Sequence, residues 1–500
     1  MKKSLVLSLV GSLVAFVVAP PMARAAVVVR QNVYSLSTPQ LQTLAKGVAA
    51  MKKKKASDPT SWAYQAAMHG SDSTPAKALW NTCQHGSYYF LSWHRMYLYY
   101  FERILRKASG DPNFALPYWS YAKSAQRALP PTFRSPAAAS NPLWVAARSS
   151  EMNGGAHLPA SAVSTTAAMN TIAFASSTGS GAGFGGQHEP GAVHFGSPHG
   201  RLESTPHDVV HVVVGGDTGW MSDPNTAAQD PIFWLHHANI DRLWKQWLRK
   251  GNGRTNPTGD ATWMNTMFSF FDEDGHQVQM SGKDILDTVE KLGYRYDDEP
   301  APALAANNAL TAAAVQPAPA TTEAEEDKRT LVSSTNVELG DAPVHARLAP
   351  LATAAAPRFA KVAADLKATE HITLHLDDIQ YDRSPGHFFE VYVNLPEDVS
   401  EPNFQSPHYV GNLATFALKH HHGGAADPGH PMPPASQTFD LTTTARVLKA
   451  LGRWSDGGDL TVTLVARRAE PIAGKAAATK MVAKAQPPKV TVGRISVTVE

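Results

Sequence analysis

The sequence of 500 residues holds one cysteine, Cys83, so no disulfide can form within the chain and its core must stabilise it unaided. An excess of charge of one sign is also missing. Lys and Arg number 45 against 43 Asp and Glu, a net +2, which gives no reason to expect nucleic acid or an anionic surface as partner. Long apolar runs are confined to Leu5 to Ala19, which follows Met1-Lys2-Lys3 and precedes Ala23-Arg24-Ala25, the order of a secretory signal. Cleavage is expected after Ala25, and the run is short for a bilayer span. A secreted or periplasmic protein with no stable membrane insertion is therefore expected. The hydrophobic content, 43%, supports a sizeable core spread over two or three units. Histidine, with 21 copies, is the conspicuous excess.

The histidines fall into a pattern between Glu203 and Trp247. His207 and His211 are four apart, so a helix stacks both imidazoles on one face, close enough to grip one ion. Downstream, Asp230 is a good N-cap and Pro231 fits the first turn of a second helix. Along it His237, Asp241, Trp244 and Leu248 share a stripe, while His236 is turned about 100° away. Only one of the adjacent histidines can face the same ion.

A second set lies upstream. Asp58-Pro59 repeats the cap and first-turn proline, and the helix after it carries His69 just before Gly70. Next comes Cys83-Gln-His85-Gly86, then Phe90, Trp93-His94-Arg95 and Glu102. His85 and His94 are nine apart and would lie on opposite faces of one continuous helix. For both to reach one ion, His85 must sit on a loop, and Gly86 permits the break.

His85-x4-Phe90-Leu-x-Trp93-His94-Arg95-x6-Glu102 and Asp230-Pro231-x-Phe233-Trp-x2-His237-x3-Asp241 closely resemble the two copper motifs of the tyrosinase, catechol oxidase and molluscan haemocyanin superfamily. The resemblance covers about Val29 to Tyr296. It implies two copper ions, one on His69, His85 and His94 and the other on His207, His211 and His237, with His236 left as a neighbour of the ligands. Neutral imidazole suits such a pair because it binds both copper oxidation states, and three ligands per ion leave a position open for oxygen and substrate.

The resemblance also gives roles to residues around the ligands. Phe90 and Phe233 are expected to wall the ligand rings, and Arg95 and Asp241 to form an ion pair behind them. Cys83, two before His85, resembles the cysteine that forms a thioether with the ligand ring in fungal tyrosinases and molluscan haemocyanins. Glu203 matches the glutamate that holds a water thought to take the phenol proton, but Asp208 stands where an asparagine is common. Met221 resembles the residue overhanging the site.

Beyond the motifs, Ser150 to Gly186 is poor in charge and reads as a surface excursion. Residues 299–329 are Ala/Pro/Glu-rich and read as a flexible linker. Strand-like alternation follows in 330–500, at His371–Leu376, Phe388–Val393, Leu460–Leu464 and Val490–Val492. The expected architecture is a mainly α catalytic domain over 26–298, an antiparallel four-helix bundle holding the dicopper site, followed by an all-β sandwich. The β unit resembles the C-terminal domain of plant polyphenol oxidases, which covers the copper pocket until removed, so truncation near Arg329 is expected to raise activity. His420-His421-His422 with His430 and Met432 reads as a solvated loop or a copper collector.

The function implied is oxidation of o-diphenols to o-quinones by dioxygen, with o-hydroxylation of monophenols such as tyrosine. Its partners are phenols and O2, with room for a copper-delivery protein. Rival readings are a catechol oxidase without hydroxylase activity, a haemocyanin-like oxygen carrier, and a copper-free binding module.

Overall fold

A computed structural model describes residues 27–176, 182–189, 191–300, 329–350, 371–381, 383–418, 435–454, 460–471 and 489–499. The expected secretory signal, most of the linker, and the His420-His421-His422, His430 and Met432 cluster lie outside them. Among the described residues no helix is long and apolar enough to cross a membrane.

The first half is helical. Helix α1 (Thr38–Lys53) starts at a capping box between Ser37 and Gln40 and buries Leu44, Val48 and Met51. α2 (Trp62–His69) follows, capped by Ser61, whose hydroxyl accepts from the Tyr64 amide. This differs from the expected start at Asp58. The Asp58 carboxylate is already engaged by the Thr60 amide and hydroxyl in a tight turn, which moves the helix start three residues on.

The long α3 (Phe90–Ser109) ends at Gly110, whose φ of +73° needs the freedom glycine has. α4 (Val209–Gly215) and α5 (Pro231–Arg249) complete the set around the histidines. Asp230 caps α5 through the Ile232 amide, with Pro231 in the first turn as expected. Aromatic side chains fill the space between α3 and α5: Trp93, Tyr97, Phe101, Trp234 and Trp244 are all buried.

Segment 150–176 does not run loose on the surface. Met152, Leu158, Ala162 and Phe174 are buried, and Phe174 meets Trp244, Trp247 and Trp263 edge-on or tilted. Small uncharged residues there reflect close packing over α5 rather than solvation.

A short strand β1 (Val28–Arg30) pairs in parallel with β2 (Tyr294–Tyr296), bringing the two ends of the helical unit together. Arg30 is fully buried at this junction. Its Nε donates to Glu102 at 2.9 Å, its Nη1 lies 3.4 Å from Asp241, and its guanidinium sits 3.6 Å over the Tyr294 ring.

The C-terminal half is antiparallel. Its strands are β3 (Arg329–Leu339), β4 (Val344–Pro350), β5 (Ile372–Tyr381), β6 (Phe388–Val393), β7 (Tyr409–Leu413), β8 (Gln437–Asp440), β9 (Leu460–Arg467) and β10 (Val490–Val499). They hydrogen-bond in the order β7-β6-β9-β4-β3-β10-β5-β8. Residues from both ends of that order, such as Leu374, Val391, Leu464 and Ile495, share one core. The sheet therefore folds over on itself to bury one face. Loop residues Ala414, Phe416 and Ala417 after β7 instead join the core of the helical half.

Candidate metal centre

Four helical segments and one loop bring six histidines together, all buried. His69 closes α2, His94 lies one turn into α3, and His237 lies in the second turn of α5. His211 is in α4, while His207 precedes it in a segment broken by Thr205 (φ −150°, ψ 121°) and Pro206. His85 sits on a loop bridged to Phe195. Gly86 beside it has φ +62°, and a Cβ there would lie 2.0 Å from the Gly196 carbonyl oxygen.

The rings of His69, His85 and His94 form a near-equilateral triangle, with centroids 5.1, 5.7 and 5.3 Å apart. His69 Nδ1 donates to the Pro224 carbonyl and His94 Nδ1 to the Phe90 carbonyl, each at 2.8 Å. His85 Nδ1 lies 3.3 Å from Cys83 Sγ. The Nε2 atoms of all three are buried without a protein partner. A proton fixed on Nδ1 leaves Nε2 as the lone pair a metal takes.

The second trio is tighter, with centroids 4.6, 4.8 and 5.4 Å apart for His207, His211 and His237. His237 Nε2 stands 3.3 Å from His207 Nε2 and 3.2 Å from His211 Nε2. Two ligands about 2.0 Å from a tetrahedral ion stand about 3.3 Å apart, so these nitrogens already have the spacing of a coordination shell. His211 Nδ1 donates to the Met221 carbonyl at 2.8 Å, and His207 Nδ1 to Asp208 Oδ1 at 2.8 Å. His237 stacks on His94 at 4.5 Å and 16°, so it also groups with His69 and His94 and marks where the two trios face each other.

Burial drives every one of these imidazoles below its ordinary range, His94 to about 3. They are neutral at pH 7, as metal ligands must be. The donor set, the free Nε2 atoms and their spacing all fit two copper ions.

Phe233 packs on His69 and His237, at 4.8 and 4.1 Å between centroids, and Phe90 on His94 and His207, each at 4.7 Å. Arg95 donates to Asp241 at 2.6 Å and lies over Trp244, in the same buried network as Arg30. The Met221 carbonyl accepts from His211 Nδ1 at 2.8 Å, and its side chain is buried in the core of the helical half. His236 packs behind the trio, stacked on His207 at 5.4 Å and 18° and edge-on to His211 at 5.1 Å, with its Nδ1 3.4 Å from the Tyr121 hydroxyl; burial lowers it to about 3.

Glu203 is fully buried; its Oε1 accepts from the Gly86 amide at 2.9 Å, and its Oε2 has no protein partner. Burial pushes its carboxyl up, to about 8, with the Asp208 charge adding to the rise and His199 opposing it. His199 escaped the sequence reading altogether. Its Nδ1 lies 2.7 Å from Asp208 Oδ2 and 3.7 Å from Glu203 Oε1. The one available signal was its spacing, four before Glu203 and nine before Asp208.

The centre is closed from above by the C-terminal half. The Phe416 ring stacks on His211 at 3.8 Å and 14°, and stands 5.9 and 5.6 Å from His85 and His207. Its neighbour Ala417 is held at φ +55°. The surrounding contacts are largely polar. Asn412 donates to the Ser161 carbonyl, Arg201 to that of Thr438 and Ser197 to that of Ser436.

Comparison with known proteins agrees with this geometry. The family described as the common central domain of tyrosinase matches residues 59–175 and 139–250. The polyphenol oxidase middle domain matches 258–308, and a domain of unknown function 330–500. A tyrosinase of Hahella sp. is 41% identical over 304 residues, 53% of this chain and 62% of that protein. A chloroplastic polyphenol oxidase of Malus domestica is 28% identical over 411 residues, 75% of this chain and 66% of that protein. The chain thus spans slightly less than two thirds of the length of these curated relatives.

A latent aurone synthase, a polyphenol oxidase, shares the fold over 95% of this chain and 90% of its own, at TM-score 0.61 and 23% identity. A latent apple tyrosinase does so over 95% and 98%, at TM-score 0.57 and 24% identity. Residues 59–308 belong to the tyrosinase and polyphenol oxidase family of type-3 dicopper proteins, and the C-terminal half shares the fold of the polyphenol oxidases.

Proposed function

We propose that the protein is an exported copper-dependent phenol oxidase that converts o-diphenols to o-quinones, also hydroxylates monophenols, and is held closed by its own β domain. The observation that carries this is the Phe416 ring lying parallel on His211 between the two histidine trios. An aromatic side chain already occupies the place a phenol ring would take.

Copper ions, when bound by His69, His85 and His94 and by His207, His211 and His237, supply the electrons that reduce dioxygen and a Lewis-acid position for the phenol oxygen. The chain does the rest. Carbonyl acceptors on Nδ1 of His69, His94 and His211 fix their tautomers, and Phe90 and Phe233 exclude water from the rings. Glu203 Oε2 stands free to hold a water that takes the phenolic proton, and Asp208 adds an anion beside it. Cys83 Sγ is placed for a thioether to His85, which would remove two hydrogens from the intact mass.

The reading is tested with copper-loaded full-length protein and a form ending after Glu299. Oxygen uptake is measured with catechol, L-DOPA and tyrosine. The expected result is slow turnover of the full chain and fast turnover of the shortened one. Stoichiometric oxygen binding without catechol turnover in either form would establish a carrier instead, and turnover of catechol but not tyrosine would restrict the protein to catechol oxidation.

A further inference from the structure

One buried titratable group close to the centre is used by none of the steps above. His199 lies in the turn Ser197-Pro198-His199-Gly200, 1% exposed, and bonds Asp208 Oδ2 through Nδ1 at 2.7 Å. The other oxygen of the same carboxylate takes the Nδ1 proton of His207 at 2.8 Å. His199, Asp208 and His207 therefore form one continuous hydrogen-bonded line that ends on the Nδ1 of a candidate ligand ring, opposite its metal-facing Nε2.

The line matters because of how the other rings are held. His69, His94 and His211 are oriented by backbone carbonyls, which the fold fixes. His207 is oriented by a side chain, and a carboxylate free to rotate about two torsions orients nothing unless its far oxygen is anchored too. His199 is that anchor, and its own position is tightly set. A Cβ on Gly200 would lie 2.6 Å from the Gly185–Gly186 backbone, so the turn is pressed against its neighbours.

His199, Glu203 and Asp208 could also be read as a third metal site, since their ligand atoms lie within 4.8 Å of one another. The 2.7 Å contact speaks against it, because that separation requires a proton between Nδ1 and Oδ2. Burial pulls His199 down, but the charges of Glu203 and Asp208 outweigh it and bring it up to about 9. The cation of this cluster is the imidazolium itself.

We propose that His199 is a positioning residue for the second trio: by gripping Asp208 it holds His207 in the ligating tautomer and gives that one ring a carboxylate behind it. The inference rests on the reading of His207 as a copper ligand.

The test uses the full-length protein reconstituted with copper. Copper release to a chelator is followed by metal analysis, with circular dichroism as the check on folding. His199→Asn keeps an N–H close to the Nδ1 position; His199→Gln moves it toward the Nε2 position; His199→Leu removes it. The expected result is that the Asn variant releases copper within threefold of the parent rate, whereas the Gln and Leu variants lose one of their two ions about 10–100-fold faster, the usual cost of removing a partner behind a ligand. The Michaelis constant for catechol should stay within twofold while the turnover number falls. Should the Leu variant not fold, the Gln and Asn pair decides alone. Parent-like release by the Gln variant overturns the proposal, as does equal loss of both ions in the Asn and Gln variants. A parent that binds two coppers but does not oxidise catechol defeats the functional reading alone, and the release rates still decide the role of His199.

Discussion

The two histidine trios differ less in their rings than in what stands behind them. The first is backed by neutral groups, two backbone carbonyls and a cysteine sulfur. The second has a carbonyl behind His211, a buried carboxylate behind His207, and no hydrogen-bond partner among the described residues on Nδ1 of His237. It is also the half on which Phe416 lies flat. The first half of the centre leans on backbone carbonyls for two of its three rings, while the second takes a side-chain carboxylate on His207 and the closest ring contact from the second domain.

The sharpest way to break the comparison is to remove a ligand from each side. His94→Ala and His211→Ala should each leave one copper per chain and abolish catechol oxidation, with metal analysis separating the halves. Two ions retained in either variant would dissolve the assignment.

The copper-free protein should next reveal opposite pH arms. The six ligand histidines have folded pKa values below the unfolded 6.5, so the stability tied to their neutral forms is present above 6.5 and lost as pH falls, by up to about 1.4 kcal/mol per histidine per pH unit. His199 has the reverse sign: raised to about 9, it contributes stability fully present below 6.5 that disappears as pH rises through 9. Its arm is worth roughly 3 kcal/mol at most. Thermal melts of the apo-protein from pH 5 to 10 should be bell-shaped; Glu203, raised to about 8, shares the alkaline arm, so His199→Asn should alter that arm and leave the acid arm in place.

Phe416→Gly removes a buried aromatic ring from the second trio. Losing about 1.5–3 kcal/mol of burial should favour the open state roughly 10- to 150-fold and raise oxygen uptake by full-length protein correspondingly. Unchanged turnover would mean that the ring does not limit access.

The smallest effect concerns Ala417. An alanine at φ +55° is strained by about 1–2 kcal/mol, and Ala417→Gly relieves it in the closed state. Basal turnover of the full-length protein should fall several-fold, read as oxygen uptake with catechol.

What the sequence made readable was local. The His207–His211 spacing and the Asp230–Pro231 cap follow from helix geometry, and the Arg95–Asp241 pair came with the motif resemblance. His85 could be placed on a loop because helical pitch left no other way for it to join His94. What stayed hidden depends on contacts between distant segments. Phe416 sits in Ala414-Thr-Phe-Ala-Leu418 with no periodicity to mark it, and only the packing of one domain on the other gives it meaning. His199 was masked by a Gly/Ser/Pro-rich turn that reads as solvated loop. Segment 150–176 misled in the same way, since low charge there serves close packing against α5. Arg30 carried no signal, because its partners Glu102, Asp241 and Tyr296 lie 72 to 266 residues away.

The junction at Arg30 also bears on how the second domain could be shed. Arg30, Tyr294 and Tyr296 knot the first and last strands of the helical unit around Asp241, and Asp298 and Glu299 are tied down by Arg242, Lys245 and Arg249. A protease cutting beyond Glu299 works outside this knot and leaves its buried ion pairs whole. Limited digestion would then be a one-way change of shape rather than the first step of unravelling.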